Sequence, residues 1–295
     1  MQTLILYIGF GLVTASILCI GAIGFTLQFG ISNLFNLAFG ATMTAAAFVA
    51  YVCNMAGLSI WVALVLGTIA ASVLSYLLNR GIYLPFKGRT TNLFSMIMVS
   101  LGIGLVIQYG IEAIWGGTNF SYNMATGRSL HVAGMVFTST QLVVIAVAAV
   151  ASVAVHSLLR YTRLGKAMRA VAVNDRLARN CGIPVRLVVD STWILSGALS
   201  GVAGVVLVMD VQVLNSNSGS DFLILIVAAA VVGGIGSPYG AMIGSLIIGV
   251  VAEVAAGFVS AEFKDISAFV ILVVVLLLRP TGVISSIASA KEVAR

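Results

Sequence analysis

Residues 58–79 read LSIWVALVLGTIAASVLSYLLN, twenty-two positions without a charge. A helix rises about 1.5 Å per residue and the bilayer's hydrocarbon layer is about 30 Å thick, so a run of this length spans it. No polar–apolar alternation runs through the stretch, which removes a barrel strand. Lipid offers the backbone no hydrogen-bond partners, so what remains is a helix that satisfies its own amides. Eight more stretches of this kind lie at roughly 4–27, 41–56, 93–115, 139–160, 187–209, 221–235, 239–258 and 265–279.

Composition agrees with this reading. Hydrophobic residues make up 60% of the 295 and charged residues 8%, against roughly 25% charged in globular domains; mean hydropathy is +1.14. The chain is therefore predicted to be all-α, a single polytopic membrane-embedded domain over 1–295 with about 8–9 transmembrane helices. The closely spaced pairs of stretches around Gly57 and Gly236 are candidates for a broken or re-entrant helix, which would lower the count to eight. The first stretch lacks a basic leader and a small-residue cleavage site, so it reads as an uncleaved span.

Charge is concentrated in one place. Residues 160–186, RYTRLGKAMRAVAVNDRLARNCGIPVR, hold seven of the fifteen Lys and Arg against one acid, which accounts for the whole formal net charge of +6. Short cytoplasmic loops are enriched in Lys and Arg. The island is therefore expected in the cytoplasm, with the loop carrying Arg80, Lys87 and Arg89 and the tail carrying Lys291 and Arg295. The loops 116–138 and 210–220 are nearly free of bases and are expected outside. Nine spans then place the N-terminus outside and the C-terminus inside.

Several chemistries are excluded or unsupported. Cys19 and Cys53 fall in apolar spans, Cys181 falls in the island, and no Cys/His spacing suits a metal. His131 and His156 stand alone, as ordinary interfacial or packed residues do. There is no nucleophile elbow, no His-Glu-x-x-His and no phosphate-binding loop; Gly165-Lys166-Ala167 lacks the upstream glycine and the hydroxyl that such a loop needs. No metal site, catalytic residue or nucleic-acid partner is expected.

The island has helical order. Leu164, Ala167, Met168, Val171 and Ala178 fall on one side of a wheel, and Lys166, Arg169, Arg176 and Arg179 on the other. Asn174-Asp175 is a helix start, Gly182 a left-handed stop, and Pro184 follows it. The pattern describes a short amphipathic helix, or two, that lies on lipid or fits a groove on a partner. The pattern alone leaves both open.

The segment TRLGKAMRAVAVNDRLARNCGIP resembles the cytoplasmic loop of ABC-importer permeases of the branched-chain amino-acid class. The matching residues are Thr162, Gly165, Arg169, Ala170, Asp175, Ala178, Gly182 and Ile183. Three further motifs follow the family's order: Asn36-Leu37-Ala38-Phe39-Gly40, VVGGIGSPYGAMIGSLIIGVVAE from Val231 and RPTGV from Arg279. The similarity covers nearly the whole chain and points to the LivH-like permease subunits. Two departures stand out, Phe39 where the family carries His and Asn180-Cys181 where it carries a more apolar pair.

The resemblance implies a bacterial plasma (inner) membrane permease subunit, itself no enzyme. It also implies a second, homologous or identical permease, two cytoplasmic ATPase subunits that use ATP and Mg, and an extracytoplasmic substrate-binding protein. The cargo it implies is branched-chain or other small amino acids; urea, short amides and small carboxylates are the family alternatives. The stretch 161–186 becomes the loop that couples to the ATPase, through Gly165, Arg169, Ala170, Ala172, Asp175, Arg176, Ala178, Arg179 and Gly182. An ion-coupled secondary transporter would need paired acids in mid-membrane, where only Glu253 is well placed. A channel or scaffold would have no use for a capped basic loop.

The pathway candidates come from breaks in the apolar pattern. Gly233-Gly234-Ile235-Gly236-Ser237 is either a tight turn or a broken helix beside the pathway. Phe39-Gly40-Ala41 and Tyr239-Gly240-Ala241 each open an apolar run after a break, a weak internal inverted repeat. Asn36, Phe39, Gly40, Gly233, Gly234, Gly236, Ser237 and Glu253 are therefore the candidates. The glycines Gly197, Gly201 and Gly204, and Gly240, Gly244 and Gly249, are first a sign of close helix packing.

Overall fold

A computed structural model describes residues 2–87, 92–124, 129–132, 135–258, 260, 263–279 and 282. The expectations placed on Arg89, Lys291, Arg295 and the Pro280-Thr281 part of the terminal motif lie outside them. The described helices are α1 (Gln2–Ser32), α2 (Ala38–Met55), α3 (Ile60–Leu78), α4 (Leu84–Lys87), α5 (Leu93–Trp115) and α6 (Ser139–Tyr161). After them come α7 (Arg163–Val173), α8 (Asp175–Asn180), α9 (Val185–Val211), α10 (Ser218–Gly233), α11 (Pro238–Phe258) and α12 (Phe263–Leu278). A π-helical turn, Asn79–Tyr83, joins α3 to α4. A two-stranded antiparallel hairpin, β1 (Ser129–Val132) and β2 (Met135–Thr138), precedes α6.

Seven helical segments are long and apolar enough to cross a membrane, and two shorter apolar ones cover 218–233 and 266–278. Each of the nine apolar stretches thus corresponds to one helix. Around Gly57, α2 and α3 are two separate helices, each long and apolar enough to cross a membrane, and Gly57 turns the chain between them with φ of +87°.

The chain divides into two compact units. One comprises residues 27–123 and 153–223, the other 1–26, 124–152 and 224–295. In the first, α2, α3 and α9 pack together and α5 packs on α2. The buried face of α3 is made of small residues four apart, Ala63, Gly67, Ala71 and Ser75. Its opposite face carries Trp61, Val65, Ile69, Val73 and Leu77, all exposed. Large residues outward and small inward is the reverse of a soluble helix. Lipid accepts bulky side chains, whereas helix–helix attraction in a membrane depends on close backbone approach. The facing glycines of α9 complete the seam: a Cβ on Gly197 would lie 2.7 Å from the Ala71 carbonyl, and one on Gly204 would lie 2.3 Å from that of Met43.

The second unit uses the same device. A Cβ on Gly244 would lie 2.1 Å from the Ala229 carbonyl, and one on Gly249 would lie 2.5 Å from the Ala15 Cα. The packing reading of both glycine series is what the structure has.

Candidate functional site

Between α1 and α2 the helix stops for residues 33–37, and the freed backbone needs partners inside the bundle. Asn36 supplies several. It is 3% exposed; its Oδ1 accepts from the Ala38 amide at 3.1 Å and from the Tyr83 hydroxyl at 2.9 Å. Its Nδ2 donates to Gln28 Oε1 at 3.4 Å, which also accepts from Ser196. Ser100 on α5 accepts from the Leu37 amide and donates to the Phe35 carbonyl, each at 3.2 Å. Phe39 is buried beside this break.

A second helix start meets the first. Gly40 and Gly219, the second residue of α10, touch backbone to backbone: a Cβ on Gly40 would lie 2.5 Å from the Gly219 carbonyl, and one on Gly219 would lie 2.2 Å from the Gly40 carbonyl. The Gly219 amide donates to Thr44 Oγ1 at 3.0 Å. Gln108 on α5 fixes the depth, donating to Asn217 at 2.6 Å and accepting from Ser220 at 3.2 Å. Gln108 precedes the end of α5 by seven residues, about 10 Å along the helix axis. The start of α10 therefore lies inside the membrane, and its 16 residues span about 24 Å, short of a full crossing.

Asn217 stays exposed at this depth, with Gln108 and Ser220 partly so. Lipid does not tolerate such a face, so it meets water or another protein. Sequence reading assigned 210–220 wholly to an outer loop and missed these residues. The run NSNSGS at 215–220 was the available signal. Leu214 pairs with Phe120, just past the C-terminal end of α5, by 2.8 Å bonds in both directions. Nearby, burial raises the Tyr122 phenol far above its usual range; it stays protonated and donates to the Ala47 carbonyl at 3.0 Å.

The other pathway candidates sit elsewhere. Gly234–Ser237 form a tight turn, closed by a 3.1 Å bond from the Ser237 amide to the Gly234 carbonyl. Beside it α10 and α11 cross closely, with a Gly233 Cβ placed 2.0 Å from the Gly240 carbonyl. Gly40 and Gly240 thus hold matching positions: each is the third residue of its helix and meets a glycine of α10. Glu253 accepts from Thr14 at 2.6 Å and pairs with Lys264. Glu253→Gln keeps the volume and an acceptor for Thr14, so transport is expected to be unchanged. Lys264→Ala strands a mostly buried carboxylate and is expected to cost roughly 1–3 kcal/mol in a thermal unfolding assay.

The basic island folds as two capped helices. Thr162 accepts from the Gly165 amide at 3.0 Å to start α7, and Asn174 accepts from the Leu177 amide at 3.0 Å to start α8. Gly182 ends the unit with φ of +81°. Gly165, Met168, Val171 and Ala178 are buried, while Arg169, Arg176 and Arg179 are exposed. Gly165 lies directly on the last turns of α6, where a Cβ would lie 2.3 Å from the Leu158 carbonyl and 2.5 Å from that of Leu159. Arg169 donates to the Leu159 carbonyl across the same seam. At the start of α9, Asp190 is buried and accepts from Asn79 at 2.9 Å and Arg80 at 3.1 Å, both on the π-helical turn. Among the described residues no cluster of His, Cys, Asp or Glu suits a metal, and all three cysteines are free.

Long apolar helices with a polar, hydrogen-bonded break between two of them fit a multi-pass membrane transport protein. The family model described as the permease component of branched-chain amino acid transport systems matches residues 7–278, and the chain belongs to that family. It is 29% identical to the high-affinity branched-chain amino acid transport system permease protein LivH of Escherichia coli over 93% of each chain. It is equally similar to BraD of Pseudomonas aeruginosa, described in the same terms, again at 29% over 93% of each. A solved structure titled PsaBC from Streptococcus pneumoniae in complex with Fab shares the fold, with a TM-score of 0.51 at 15% identity over 93% of this chain and 92% of that one. The protein is a transport component rather than an enzyme, and as an ABC permease it works with other components of its transporter.

Proposed function

We propose that this permease carries branched-chain aliphatic amino acids into the cell across the plasma (inner) membrane. The observation that carries the reading is the family match over residues 7–278. The complete importer on this reading has a second permease, homologous or identical, and two cytoplasmic ATPases that bind ATP and Mg. An extracytoplasmic binding protein delivers the substrate. The N-terminus lies outside and the C-terminus inside.

The pathway runs past the break at Asn36, Phe39 and Gly40 and along the Gln108–Asn217–Ser220 face, which a second permease covers while leaving room for water. Close packing at Gly233, the tight turn through Gly234, Gly236 and Ser237, and the ion pair of Glu253 favour structural roles for those residues. The α7–α8 unit docks in the ATPase. Ala170, Ala172 and Ala178 permit close approach, and Arg169, Arg176 and Arg179, beside Asp175, supply charge-assisted bonds. ATP-driven closure shifts the permease only through contacts that differ between its two states, and a short rigid helix seated on α6 transmits such a difference.

The test is co-reconstitution in liposomes with the ATPases and binding protein encoded beside this chain. Leucine-loaded binding protein is expected to stimulate ATP hydrolysis and uptake together. Stimulation by an amide, urea or small carboxylate with none by leucine would reassign the cargo, and stimulation by nothing would sink the importer reading.

A further inference from the structure

We infer that a cavity of about 630 Å³ beneath the α7–α8 unit binds a zwitterionic α-amino acid with an apolar side chain from the cytosol, restraining the unit that couples to the ATPase. The inference rests on the proposed function and adds a second, regulatory site for the same class of molecule.

The cavity lies within one compact unit, at the end that carries the basic island. Its apolar wall includes Ile31, Leu34, Met96, Val189 and Trp193, and Asp175, Arg179 and Arg186 also line it. The volume falls in the roughly 300–1,000 Å³ range of small-molecule sites. Two other lining charges are already engaged: Asp190 with Arg80, and Lys87 with the Ser32 carbonyl at 2.9 Å. Asp175, Arg179 and Arg186 carry no ion pair among the described residues.

These groups define the ligand. Asp175, Arg179 and Arg186 stand exposed at its mouth, where a plain anion would face Asp175 and an apolar molecule would meet none of the three charges. A carboxylate toward Arg179 and Arg186 and an ammonium toward Asp175 satisfy all three, leaving an aliphatic side chain for the Met96–Val189–Trp193 wall. The cavity exceeds one such molecule, and ordered water completes the contacts.

Occupancy has a mechanical consequence. Asp175 and Arg179 lie one turn apart on α8, and Val171 of α7 also lines the cavity. A ligand held by these helices and by α9 favours the one arrangement in which they surround it. It also withholds Asp175 and Arg179 from the ATPase. Substrate accumulated inside thereby slows its own import.

The test uses liposomes containing the whole importer, with ATP and unlabelled leucine trapped on the ATPase side. Trapped leucine is expected to lower the initial rate of uptake and the stimulated ATP hydrolysis, whereas leucinamide and 4-methylvalerate, each with one charge, leave both rates high. Arg186→Gln is expected to keep the rate into leucine-free vesicles and to need roughly tenfold more trapped leucine for the same inhibition. Val189→Trp, which puts an indole against the wall where the aliphatic side chain would lie, is expected to abolish the inhibition. Unchanged rates with trapped leucine, or equal inhibition in both variants, would overturn the site. Phosphatidylglycerol that copurifies with the native importer and is lost from Val189→Trp would assign the cavity to lipid instead. Failure of uptake into leucine-free vesicles counts against the proposed cargo alone. In that case equilibrium dialysis of leucine against the purified complex without binding protein still decides the cavity, because the inference requires leucine binding that Arg186→Gln weakens.

Discussion

Gly165→Val is expected to leave the permease inserted in the membrane and assembled with its ATPases, yet to abolish substrate-stimulated ATP hydrolysis and uptake. A Cβ at this position would lie 2.3 Å from one backbone carbonyl and 2.5 Å from the next. Neither belongs to a flexible side chain that can swing aside. The first turn of α7 must therefore lift off α6, which also breaks the Arg169 bond to Leu159. Overpacking of this kind costs roughly 1–3 kcal/mol or more, and the misfit falls where the proposed coupling needs a fixed lever. Uptake is expected to fall at least about tenfold, with basal hydrolysis retained. Gly182→Val provides a graded comparison: its Cβ meets nothing within 4 Å, but φ is +81°, so the penalty is the roughly 1–2 kcal/mol of a left-handed backbone. Arg169→Glu removes the donor to the Leu159 carbonyl and reverses a charge without adding bulk at Gly165, and is expected to uncouple partially. If Gly165→Val imports at the native rate, the coupling role of the α7–α8 unit is wrong.

Gly40→Val is expected to have the larger effect on stability, because it acts where two helix starts meet inside the membrane. The contact is reciprocal, with the intruding Cβ of either glycine within 2.5 Å of the other's carbonyl oxygen. Separating α2 from α10 also withdraws the Thr44 acceptor from the Gly219 amide, and lipid cannot replace it. A loss of roughly 3 kcal/mol or more is expected, read as a lowered thermal midpoint and loss of monodisperse protein after extraction. Gly40→Ala is expected to behave similarly, since the Cβ alone suffices. Gly102→Ala is the control: its Cβ meets nothing within 4 Å, and its effect should stay within about 1 kcal/mol. A stable, active Gly40→Val protein would show that the two helix starts need not touch.

Some of the site was legible in the sequence because its determinants are local. The α7–α8 unit announced itself through Asn174, Gly182 and Pro184, since capping and termination depend on neighbours a few residues away. Gly165 was named from family order, but its reason was not legible; the Leu158 and Leu159 carbonyls come near only when the chain turns back on α6. Asn36 was likewise named without its partners, because Gln28 and Tyr83 lie on other elements. The role of the buried Asp190 was not legible either. Its Arg80 partner, 110 positions away, belongs to a π-helical turn that no local pattern marked.

The polar face at Gln108, Asn217 and Ser220 was missed for a related reason. A run of Asn, Ser and Gly between two apolar stretches reads as an outer loop, and only the Gly40–Gly219 contact draws it below the membrane surface. The small-residue series on α3 could have been read from spacing alone, since Ala63, Gly67, Ala71 and Ser75 recur every four residues.

The sequence by itself determined that this chain is a membrane protein of about eight or nine apolar helices with one capped basic unit. Span length, charge placement and capping are properties of contiguous residues. Tertiary structure alone decided that Glu253 is tied up in an ion pair, that the Gly233–Gly240 crossing is tightly packed, and that two helices begin head to head at Gly40 and Gly219. Those outcomes depend on which backbones approach within contact distance, and in lipid that approach is set by complementary small residues on helices far apart in the chain.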